Sequence, residues 1–387
     1  MKKVLVKGPA LSRSGYGEQC RFALRALNSS PDIDLYLINT SWGATGWLYE
    51  DTEERKWIDD TILKTIKKIQ SPDRAFDVAV QISLPNEWQF MARKNVGYTA
   101  GVETDKVPDA WKQSVDSVDK VIVTSDFTKS GFINSGCSED KFDVVTYPAR
   151  TDIKSEALEL NLDTEYNFLT VAQWSPRKNL EATITSFLEE FTNEEVGLIV
   201  KTSIKNSSVI DRQVCEERLS YIMKHFPENR KCKVYLLHGN LSEQEMVGLY
   251  AHENVNAYVT TSHGEGFGLP VFEAAANGLP IIASNWGGIT EFTSVPTRSK
   301  KSDSKKVMIS EVDYQVSSVQ AEAVWEGVIE ETSSWCFPEL DSLRNKMREE
   351  YNTPSVARAK KLKNYITKNN KSQDKYDQFV QSVLSVL

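Results

Sequence analysis

Two successive series of short apolar runs, alternating with longer amphipathic ones, constrain the fold of this chain more than any other feature. The first series is rich in Val and Ile and predicts buried strands: KKVLVKG, DLYLIN, DVAVQIS, NVGYTAG and KVIVTS. After about residue 150 the rhythm restarts with NFLTVAQ, VGLIVKTS, KVYLLHG, NAYVTTS and PIIASN. Amphipathic segments such as EQCRFALRAL and NLEATITSFLEEF lie between these runs and predict helices. The alternation predicts parallel sheets with helices on both faces, and its repetition predicts two Rossmann-like α/β domains.

The length of 387 residues also exceeds what one small core needs, which favours two domains. We predict a first domain over 1–150 and a second over 151–370. The polar segment 149–166 is the predicted linker. Residues 353–387 have a helical pattern with no strand after them, so the chain is expected to end in helices.

Composition excludes several classes of protein. The five cysteines are scattered and never form a C-x-x-C pair, and the four histidines lack metal-ligand spacing. We therefore expect reduced thiols and no metal site. The start of the chain does not resemble a signal peptide, and no window is apolar enough to span a membrane, so a cytoplasmic location is predicted.

A net charge of -8 argues against indiscriminate binding to polyanions. Two segments of the chain are nevertheless locally basic. The segment 298–306 reads RSKKSDSKK, and the region from Arg358 to Lys375 carries seven basic residues. Either patch could contact a polyanion, but runs of charge are more often a solvated loop and a solvated helix face, and we prefer that interpretation for both.

Ligands of open α/β sheets bind beyond the carboxyl ends of the strands, so the turns after the strands are the candidate sites. Gly15 and Gly17 follow the first strand and lead into a helix, where glycines allow backbone amides to approach an anion. A tight strand-to-helix turn accounts for them as well. Arg177 and Lys178 follow the strand NFLTVAQ and could meet a pyrophosphate at the start of a helix, although an exposed Arg-Lys pair is often only solvated.

The most informative turn is the glycine-rich stretch SHGEGFGLPVFEAAANGLP that follows NAYVTTS. Pro270 suits the first turn of a helix and Gly278 suits its end. This places Glu265 in the loop and Glu273 about one turn inside the helix. Carboxylates accept hydrogen bonds from vicinal hydroxyls of a sugar, and the amides of the segment 266–268 (Gly266, Phe267 and Gly268) could hold a phosphate. A dipole-capping role would explain one glutamate but not two around a glycine loop.

The stretch EGFGLPVFE resembles the E-x7-E motif of family 4 retaining glycosyltransferases of the GT-B fold, and SPRKNL resembles their donor-phosphate lysine turn. The resemblance implies two Rossmann-like domains facing each other across a cleft. It also implies that C-terminal helices cross back, with 371–387 packing on the first domain. Its implied roles are ribose binding for Glu273, proximity to the donor sugar for Glu265 and neutralisation of the pyrophosphate by Lys178. We expect the partner of Glu273 to be a ligand hydroxyl and not a protein group.

The chain departs from this family pattern in two places. Members commonly carry an arginine five residues before the lysine, and here that position is Gln173. Arg177 is the predicted substitute for the missing charge, and Gln173 and His263 are predicted to lie among the nucleotide-sugar contacts. The family's histidine in the first domain is not evident, because the matching turn reads GYTAGVETDKVP; Glu103 is the polar group predicted there.

The resemblance implies transfer of a sugar from a nucleoside diphosphate, UDP- or GDP-linked, to an acceptor hydroxyl with retention of configuration. Lys178, Arg177 and loop amides would stabilise the departing diphosphate. Neither a cofactor nor a metal ion is required by this arrangement, and the leaving phosphate itself would accept the acceptor's proton.

The acceptor is expected to be a saccharide or a lipid-linked saccharide. The predicted helix EERKWIDDTILKTIKKI places Trp57, Ile58, Ile62, Ile66 and Ile69 on one side with lysines beside them. It would either pack on the sheet or lie on an anionic membrane.

The stretches SGYGEQCRFALRAL and GVETDKVPDAW also resemble glycosyltransferases encoded by bacteriophages. That likeness makes a hydroxylated base in DNA an alternative acceptor, with the C-terminal basic patch on phosphates.

Two readings from other classes remain open. A glycoside hydrolase also uses two carboxylates, but they must face each other across one bond, whereas Glu265 and Glu273 lie on a phosphate-type turn. The chain could also bind sugar nucleotides without catalysis, with Gln173 marking lost chemistry.

Overall fold

The computed structural model describes residues 1–299 and 302–387 of the chain. It divides into two compact units. The first comprises Met1–Pro148, Trp325–Glu330 and Asn370–Leu387, and the second comprises Ala149–Val324 and Glu331–Asn369. The predicted division at residue 150 assigned 325–330 to the second domain, whereas in the structure this short segment packs with the first unit.

Strands and helices alternate through both halves of the chain. The elements of residues 1–148 are β1 (Lys2–Gly8), α1 (Gly15–Asn28), β2 (Ile33–Asn39), α2 (Glu53–Gln70), β3 (Val78–Ile82), β4 (Lys94–Thr99), α3 (Asp109–Ser117), β5 (Lys120–Val123), α4 (Asp126–Asn134) and β6 (Phe142–Val144). Those of 149–293 are β7 (Tyr166–Gln173), α5 (Leu180–Phe191), β8 (Val196–Ser203), α6 (Val209–Met223), β9 (Lys233–Leu237), α7 (Glu243–Tyr250), β10 (Val255–Val259), α8 (Leu269–Asn277) and β11 (Ile281–Ala283). The remainder forms β12 (Ser294–Ser299), β13 (Ser302–Val307), β14 (Ser310–Glu311), β15 (Tyr314–Ser318), β16 (Ser334–Pro338), α9 (Leu340–Asn352), α10 (Val356–Asn369) and α11 (Ser372–Leu384).

Each unit is built on a parallel sheet of six strands. The order in the first is β2-β1-β3-β4-β5-β6, and the order in the second is β14-β11-β10-β7-β8-β9. All neighbouring strands in both sheets pair in parallel. The continuous apolar runs of the sequence are the buried central strands, and the predicted pair of Rossmann-like sheets is confirmed. The short strand β6 was not predicted from the sequence.

The C-terminal helix α11 belongs to the first unit. Its buried Phe379 packs edge-on against Phe22 of α1, with ring centroids 5.4 Å apart, and against Tyr98 of β4 at 5.0 Å. Ser382 donates a hydrogen bond to Asp143 of β6 at 2.6 Å. The last helix of the chain therefore completes the core of the unit formed by the first 148 residues.

The face that α2 buries differs from the predicted one. Ile58, Thr61 and Thr65 are the buried residues of this helix, and Thr65 accepts a hydrogen bond from the backbone of Leu37 in β2. Ile66 and Ile69 are 47% and 41% exposed. The helix therefore packs on the first sheet, as one of the two predicted alternatives has it, but only part of the predicted apolar stripe is buried: Ile58 fully, and Trp57 and Ile62 by about half.

The region from residue 294 to 338 follows neither of the predicted rhythms. It forms two antiparallel hairpins, β12–β13 and β15–β16, which the sequence analysis did not foresee. The basic segment 298–306 falls on the first hairpin, and its Lys300 and Lys301 lie outside the described residues. Among the helices of the described chain, none has the length and apolar character needed to cross a membrane.

Candidate active site

The turn after β7 presents the predicted cations at the carboxyl edge of the second sheet. Pro176–Lys178 forms a single 3-10 turn, and Asn179 adopts a left-handed conformation with φ of 49° before α5 begins. The carbonyl of Asn179 accepts a hydrogen bond from Thr261, which follows β10, at 2.7 Å. The two loops that carry the candidate site are thus tied to each other.

Glu265 is the centre of the candidate site. One carboxylate oxygen lies 2.5 Å from Nζ of Lys178 and accepts a hydrogen bond from Ser262 at 2.8 Å. The other oxygen lies 3.3 Å from a guanidinium nitrogen of Arg177, which also donates to the carbonyl of Gly264 at 2.8 Å. The structure therefore brings together Lys178, Arg177 and Glu265, three residues that the sequence analysis placed in the catalytic group.

This cluster is electrostatically unusual because it is largely removed from water. The side chains of Lys178 and Glu265 are only 13% and 14% exposed. Desolvation alone would favour the neutral acid, but the charges of Lys178 and Arg177 outweigh it and lower the pKa of Glu265 to about 2. At neutral pH the site therefore holds one carboxylate and two cations, leaving an excess positive charge.

The glycines around Glu265 are required by close backbone packing. Gly268 has a φ of 86° and starts α8, and a Cβ there would lie 2.5 Å from the side chain of Ile289. Gly288 donates its backbone N–H to the carbonyl of Glu265 at 2.7 Å, and a Cβ on it would lie 2.1 Å from the carbonyl oxygen of Gly266. Gly288 was missed as a site residue; the signal was the Gly-Gly pair directly after the strand PIIASN.

The remaining residues of this loop are placed as follows. Pro270 and Gly278 occupy the predicted first turn and end of α8. Gly266 and Phe267 are both buried, and the ring of Phe267 packs against those of Phe272 and Phe292 at 5.1 and 5.3 Å. The Phe267 side chain thus anchors the loop in the core.

Glu273 lies on α8 and has a protein partner. The buried hydroxyl of Tyr250, at the end of α7, donates a hydrogen bond to its carboxylate at 3.0 Å. The expectation that Glu273 meets only a ligand is therefore wrong. Tyr250 fixes one carboxylate oxygen, because a buried phenol hydroxyl needs an acceptor.

The backbone of His263 is bound to the lysine turn, since its N–H donates to the carbonyl of Arg177 at 2.9 Å. Its imidazole is stacked on Trp335 of β16 with centroids 5.1 Å apart, and its Nδ1 lies 2.7 Å from the carbonyl oxygen of Cys336. The backbone N–H of Cys336 in turn donates to the carbonyl of His263 at 3.0 Å. His263 thus connects the loop that carries Glu265 to the hairpin β15–β16. Burial of the imidazole lowers the pKa of His263.

Gln173 ends β7 and is exposed. Its amide donates a hydrogen bond to the carbonyl of Ile204, just after β8, at 2.6 Å. The residue therefore bridges two neighbouring strand ends, and the structure does not gather it into the Glu265 cluster.

The loop after β8 contacts a cluster of possible metal ligands that the sequence did not predict. Ligand atoms of Asp211, Cys215 and His238 lie within 4.8 Å of one another. The carboxylate oxygens of Asp211 also accept hydrogen bonds from the backbone N–H groups of residues 204–206. Burial alone would raise the pKa of Asp211, but these hydrogen bonds and the one with His238 lower it to about 2. The cluster shapes the loop after β8. The residues are 4 and 23 positions apart along the chain, so no metal-ligand spacing revealed it.

Three predicted residues belong to the first unit. Gly15 begins α1, and Gly17 packs so closely that a Cβ would lie 1.9 Å from the carbonyl oxygen of Ser12. The side-chain hydroxyl of Ser14 caps α1, since its oxygen accepts a hydrogen bond from the backbone N–H of Gly17 at 3.0 Å. Glu103 follows β4, and its charge is among the causes, after burial, that raise the pKa of Tyr16.

The sequence of the second unit matches a known family. Residues 152–294 match the family of glycosyl transferases group 1. The matched segment contains both predicted motifs, the lysine turn and the E-x7-E loop.

The chain also matches curated relatives over part of its length. It is 32% identical over 131 residues to the serotype-specific mannosyltransferase WbdA of Escherichia coli, and the match covers 33% of this chain and 14% of that protein. A second relative, the alpha-1,3/1,6-mannosyltransferase ALG2 of Kluyveromyces lactis, is 24% identical over 198 residues, which is 45% of this chain and 39% of the relative. The chain therefore spans only a minor part of these relatives' lengths.

Solved structures extend the comparison to the whole chain. Alr3699/HepE of Anabaena, crystallised with UDP and glucose, aligns over 100% of both chains with a TM-score of 0.64 and 13% identity. Sucrose-phosphate synthase of Thermosynechococcus elongatus aligns over 100% of this chain and 99% of its own with a TM-score of 0.63 and 14% identity. The chain has the GT-B fold. At such low identity the likeness establishes the fold, and the group 1 match indicates which enzyme class the second unit resembles.

Proposed function

We propose that this chain is a retaining glycosyltransferase that moves a sugar from a nucleoside diphosphate to an acceptor hydroxyl of a saccharide or lipid-linked saccharide. The observation that carries the proposal is the pairing of Lys178 and Arg177 with one largely buried carboxylate, Glu265, at the carboxyl edge of the second sheet. The match of residues 152–294 to glycosyl transferases group 1 supports it. So does the UDP held by a protein of the same fold.

The chemical problem of this reaction is charge separation. As the bond to the anomeric carbon breaks, negative charge develops on the departing diphosphate, and cations held in a low-dielectric site stabilise it most. Lys178 and Arg177 are both held by Glu265, and Arg177 also by the carbonyl of Gly264, before any donor binds, so little reorganisation is needed. Glu265 also lies where it could accept a hydrogen bond from a donor sugar hydroxyl.

Glu273 would bind the ribose of the nucleotide. Tyr250 donates a hydrogen bond to one of its oxygens, which restricts the orientation of the carboxylate, and a carboxylate accepts hydrogen bonds from vicinal hydroxyls. Retention of configuration follows in this proposal from attack on the same face that the diphosphate leaves. The leaving phosphate then accepts the proton of the acceptor hydroxyl, so no side chain needs to act as the base.

A donor and acceptor panel tests the proposal. The purified full-length chain is incubated with UDP-, GDP- and ADP-sugars, each against free saccharides, lipid-linked saccharides and DNA containing hydroxymethylated bases, and the products are analysed by mass spectrometry. We expect a glycosylated saccharide whose new linkage has the donor's anomeric configuration by NMR. An inverted linkage would contradict retention.

The panel also tests the alternatives. Release of sugar from an aryl glycoside without any nucleotide would identify a hydrolase instead. Nucleotide-sugar binding with neither transfer nor donor hydrolysis would identify a non-catalytic binder. Transfer to DNA that falls steeply between low and moderate salt would indicate phosphate contacts by the exposed lysines of α10, Lys360, Lys361 and Lys363.

A further inference from the structure

The loop after β2, residues 40–51, presents aromatic side chains to solvent. Trp47 is 50% exposed and Tyr49 is 72% exposed. Trp42 is half-buried and stacks on Tyr16 of α1, with ring centroids 4.0 Å apart and an angle of 21° between the planes. Burying an exposed aromatic ring releases free energy, so a ligand that covers these rings would gain it. The cluster is therefore a candidate contact for a ligand.

The backbone of this loop is fixed by the neighbouring loop after β1. Arg13 donates its N–H to the carbonyl of Gly46 at 2.8 Å, and Leu48 donates to the carbonyl of Leu11 at 2.7 Å. The hydroxyls of Ser12 and Thr45 are hydrogen-bonded at 2.7 Å. The exposed rings are therefore held on a pre-organised support, which lowers the entropic cost of binding.

The charges near the loop restrict the chemistry of its ligand. Residues 40–54 contain four acidic residues, and basic residues lie beside them: Arg55 and Lys56 follow directly, and Arg25 pairs with Glu54. Glu50 pairs with Arg13, whose guanidinium lies 5.7 Å from the centre of the Tyr49 ring. Lys56 lies 3.5 Å from Asp51 and 3.2 Å from Glu53, so the basic side chains beside the loop are engaged by its acidic residues. This surface therefore offers a nucleic acid or an anionic lipid no surplus of positive charge, and it suits a neutral ligand with hydroxyls and an apolar face.

The position of the loop agrees with a substrate contact. β2 ends at Asn39, so the loop begins at the carboxyl edge of the first sheet, where open α/β sheets bind their ligands. The sequence predicts ligand contacts at Gly15, Gly17 and Glu103 of the first half of the chain and at residues of the second half, and it assigns no residue of this loop to any role.

We propose that residues 40–51 form a saccharide subsite in which the Trp47 and Tyr49 rings pack on the apolar faces of pyranose rings. Hydroxyl and carbonyl groups of the loop bind the sugar hydroxyls. The subsite rests on the proposed function in one respect: it would hold the acceptor of the transfer reaction. The acceptor class that it selects is a neutral saccharide and not DNA.

Direct binding without any donor tests this subsite. The full-length protein is applied to a glycan array and then titrated with methyl α-mannoside and α-1,3-mannobiose while tryptophan fluorescence is recorded. We expect saccharide binding by the wild type. Trp47→Ala should weaken it about tenfold or more, as for loss of an aromatic anchor, and Trp47→Phe should restore most of it.

Phe90→Ala is the matched control. Phe90 is an aromatic residue of the same unit, 85% exposed, and it lies between β3 and β4, outside the loop of residues 40–51. We expect this variant to bind saccharide like the wild type. Equal melting temperatures for all variants would show that the changes do not act through folding.

Two results would overturn the subsite: absence of any saccharide binding by the wild type, or equal affinities of the wild type and Trp47→Ala. A single-stranded DNA oligonucleotide and phosphatidylglycerol vesicles are tested in parallel, and loss of their binding in Trp47→Ala would assign the loop to another partner. UDP binding by the wild type is measured separately. UDP binding without saccharide binding would refute the saccharide subsite and leave the proposed function standing. Saccharide binding without any transfer would refute the proposed function and leave the subsite standing.

Discussion

The ammonium group of Lys178 lies 2.5 Å from the carboxylate of Glu265, although 87 positions separate the two residues in the chain. The contact joins the turn after β7 to the loop after β10, which are adjacent strands of one parallel sheet. Because Arg177 shares the same carboxylate, Glu265 sets the position of both cations. A diphosphate entering the site would find them already oriented.

We expect Lys178→Ala to lower kcat by about tenfold to a thousandfold, from roughly 1.5 to 4 kcal/mol of lost leaving-group stabilisation. Donor binding should fall less, because the charge on the diphosphate is greatest in the transition state. Lys233→Ala removes an exposed lysine at the amino end of β9 in the same sheet and serves as the control. Steady-state kinetics with calorimetric donor binding measures both effects; an unchanged kcat would assign the role to another cation.

We expect Glu273→Ala to weaken UDP or GDP binding and also to lower the free energy of unfolding by about 1 to 3 kcal/mol, because Tyr250 loses its acceptor. Tyr250→Phe removes the same hydrogen bond but keeps the carboxylate, so it should retain nucleotide affinity. Calorimetry and thermal unfolding of both variants separate the two effects. Equal affinities of Glu273→Ala and the wild type for every nucleotide tried would refute the ribose assignment.

The stability that Glu265 contributes should depend on pH in the acid range. Its pKa of about 2 lies below the ordinary value of 4.5, so the ionised form stabilises the folded state fully above about pH 4.5 and this contribution is lost as the pH falls toward 2. We expect the difference in unfolding free energy between the wild type and Glu265→Gln to shrink over that interval. Denaturant unfolding at pH 6, 4 and 3 measures it, and a constant difference would mean that the ion pairs do not form in solution.

His263 should make the folded state sensitive to mild acid. Burial lowers its pKa below the ordinary 6.5, so below that pH the unfolded chain takes up a proton that the folded chain resists, and stability is lost as the pH falls. We expect His263→Phe, which keeps the stacking on Trp335, to lose less stability than the wild type between pH 7 and pH 5. His225→Phe, at an exposed site after α6, provides the reference for the general pH response. Identical slopes for the wild type and His263→Phe would contradict the prediction.

We expect transfer activity to survive treatment with EDTA. The excess positive charge of the Glu265 cluster can neutralise the leaving diphosphate without a divalent ion. The assay compares initial rates before and after chelation, and again after addition of manganese. Activity abolished by EDTA and restored by manganese would show that the donor site has been misread.

Much of the fold could be predicted from the sequence because its signals are local. Each central strand is a short apolar run, and Pro270 and Gly278 mark the ends of α8 by their own backbone preferences. The candidate site was predictable in part for the same reason. Lys178, Arg177 and Glu265 lie in turns that follow strands, and Glu273 lies about one turn inside the helix that follows such a turn. Parallel strands bring these turns to one edge of a sheet.

Tertiary structure alone decided the partners of these residues. That Glu265 holds both cations, that Tyr250 binds Glu273 and that His263 stacks on Trp335 depend on contacts between residues 23 to 88 positions apart, which no local pattern encodes. The buried face of α2 was decided in the same way, because packing against β2 buries Ile58 and Thr65 and leaves Ile66 and Ile69 exposed. The sequence determined which elements form and where each strand ends. The packing of those elements determined which side chains meet, since a side chain's partner depends on where the chain returns in space.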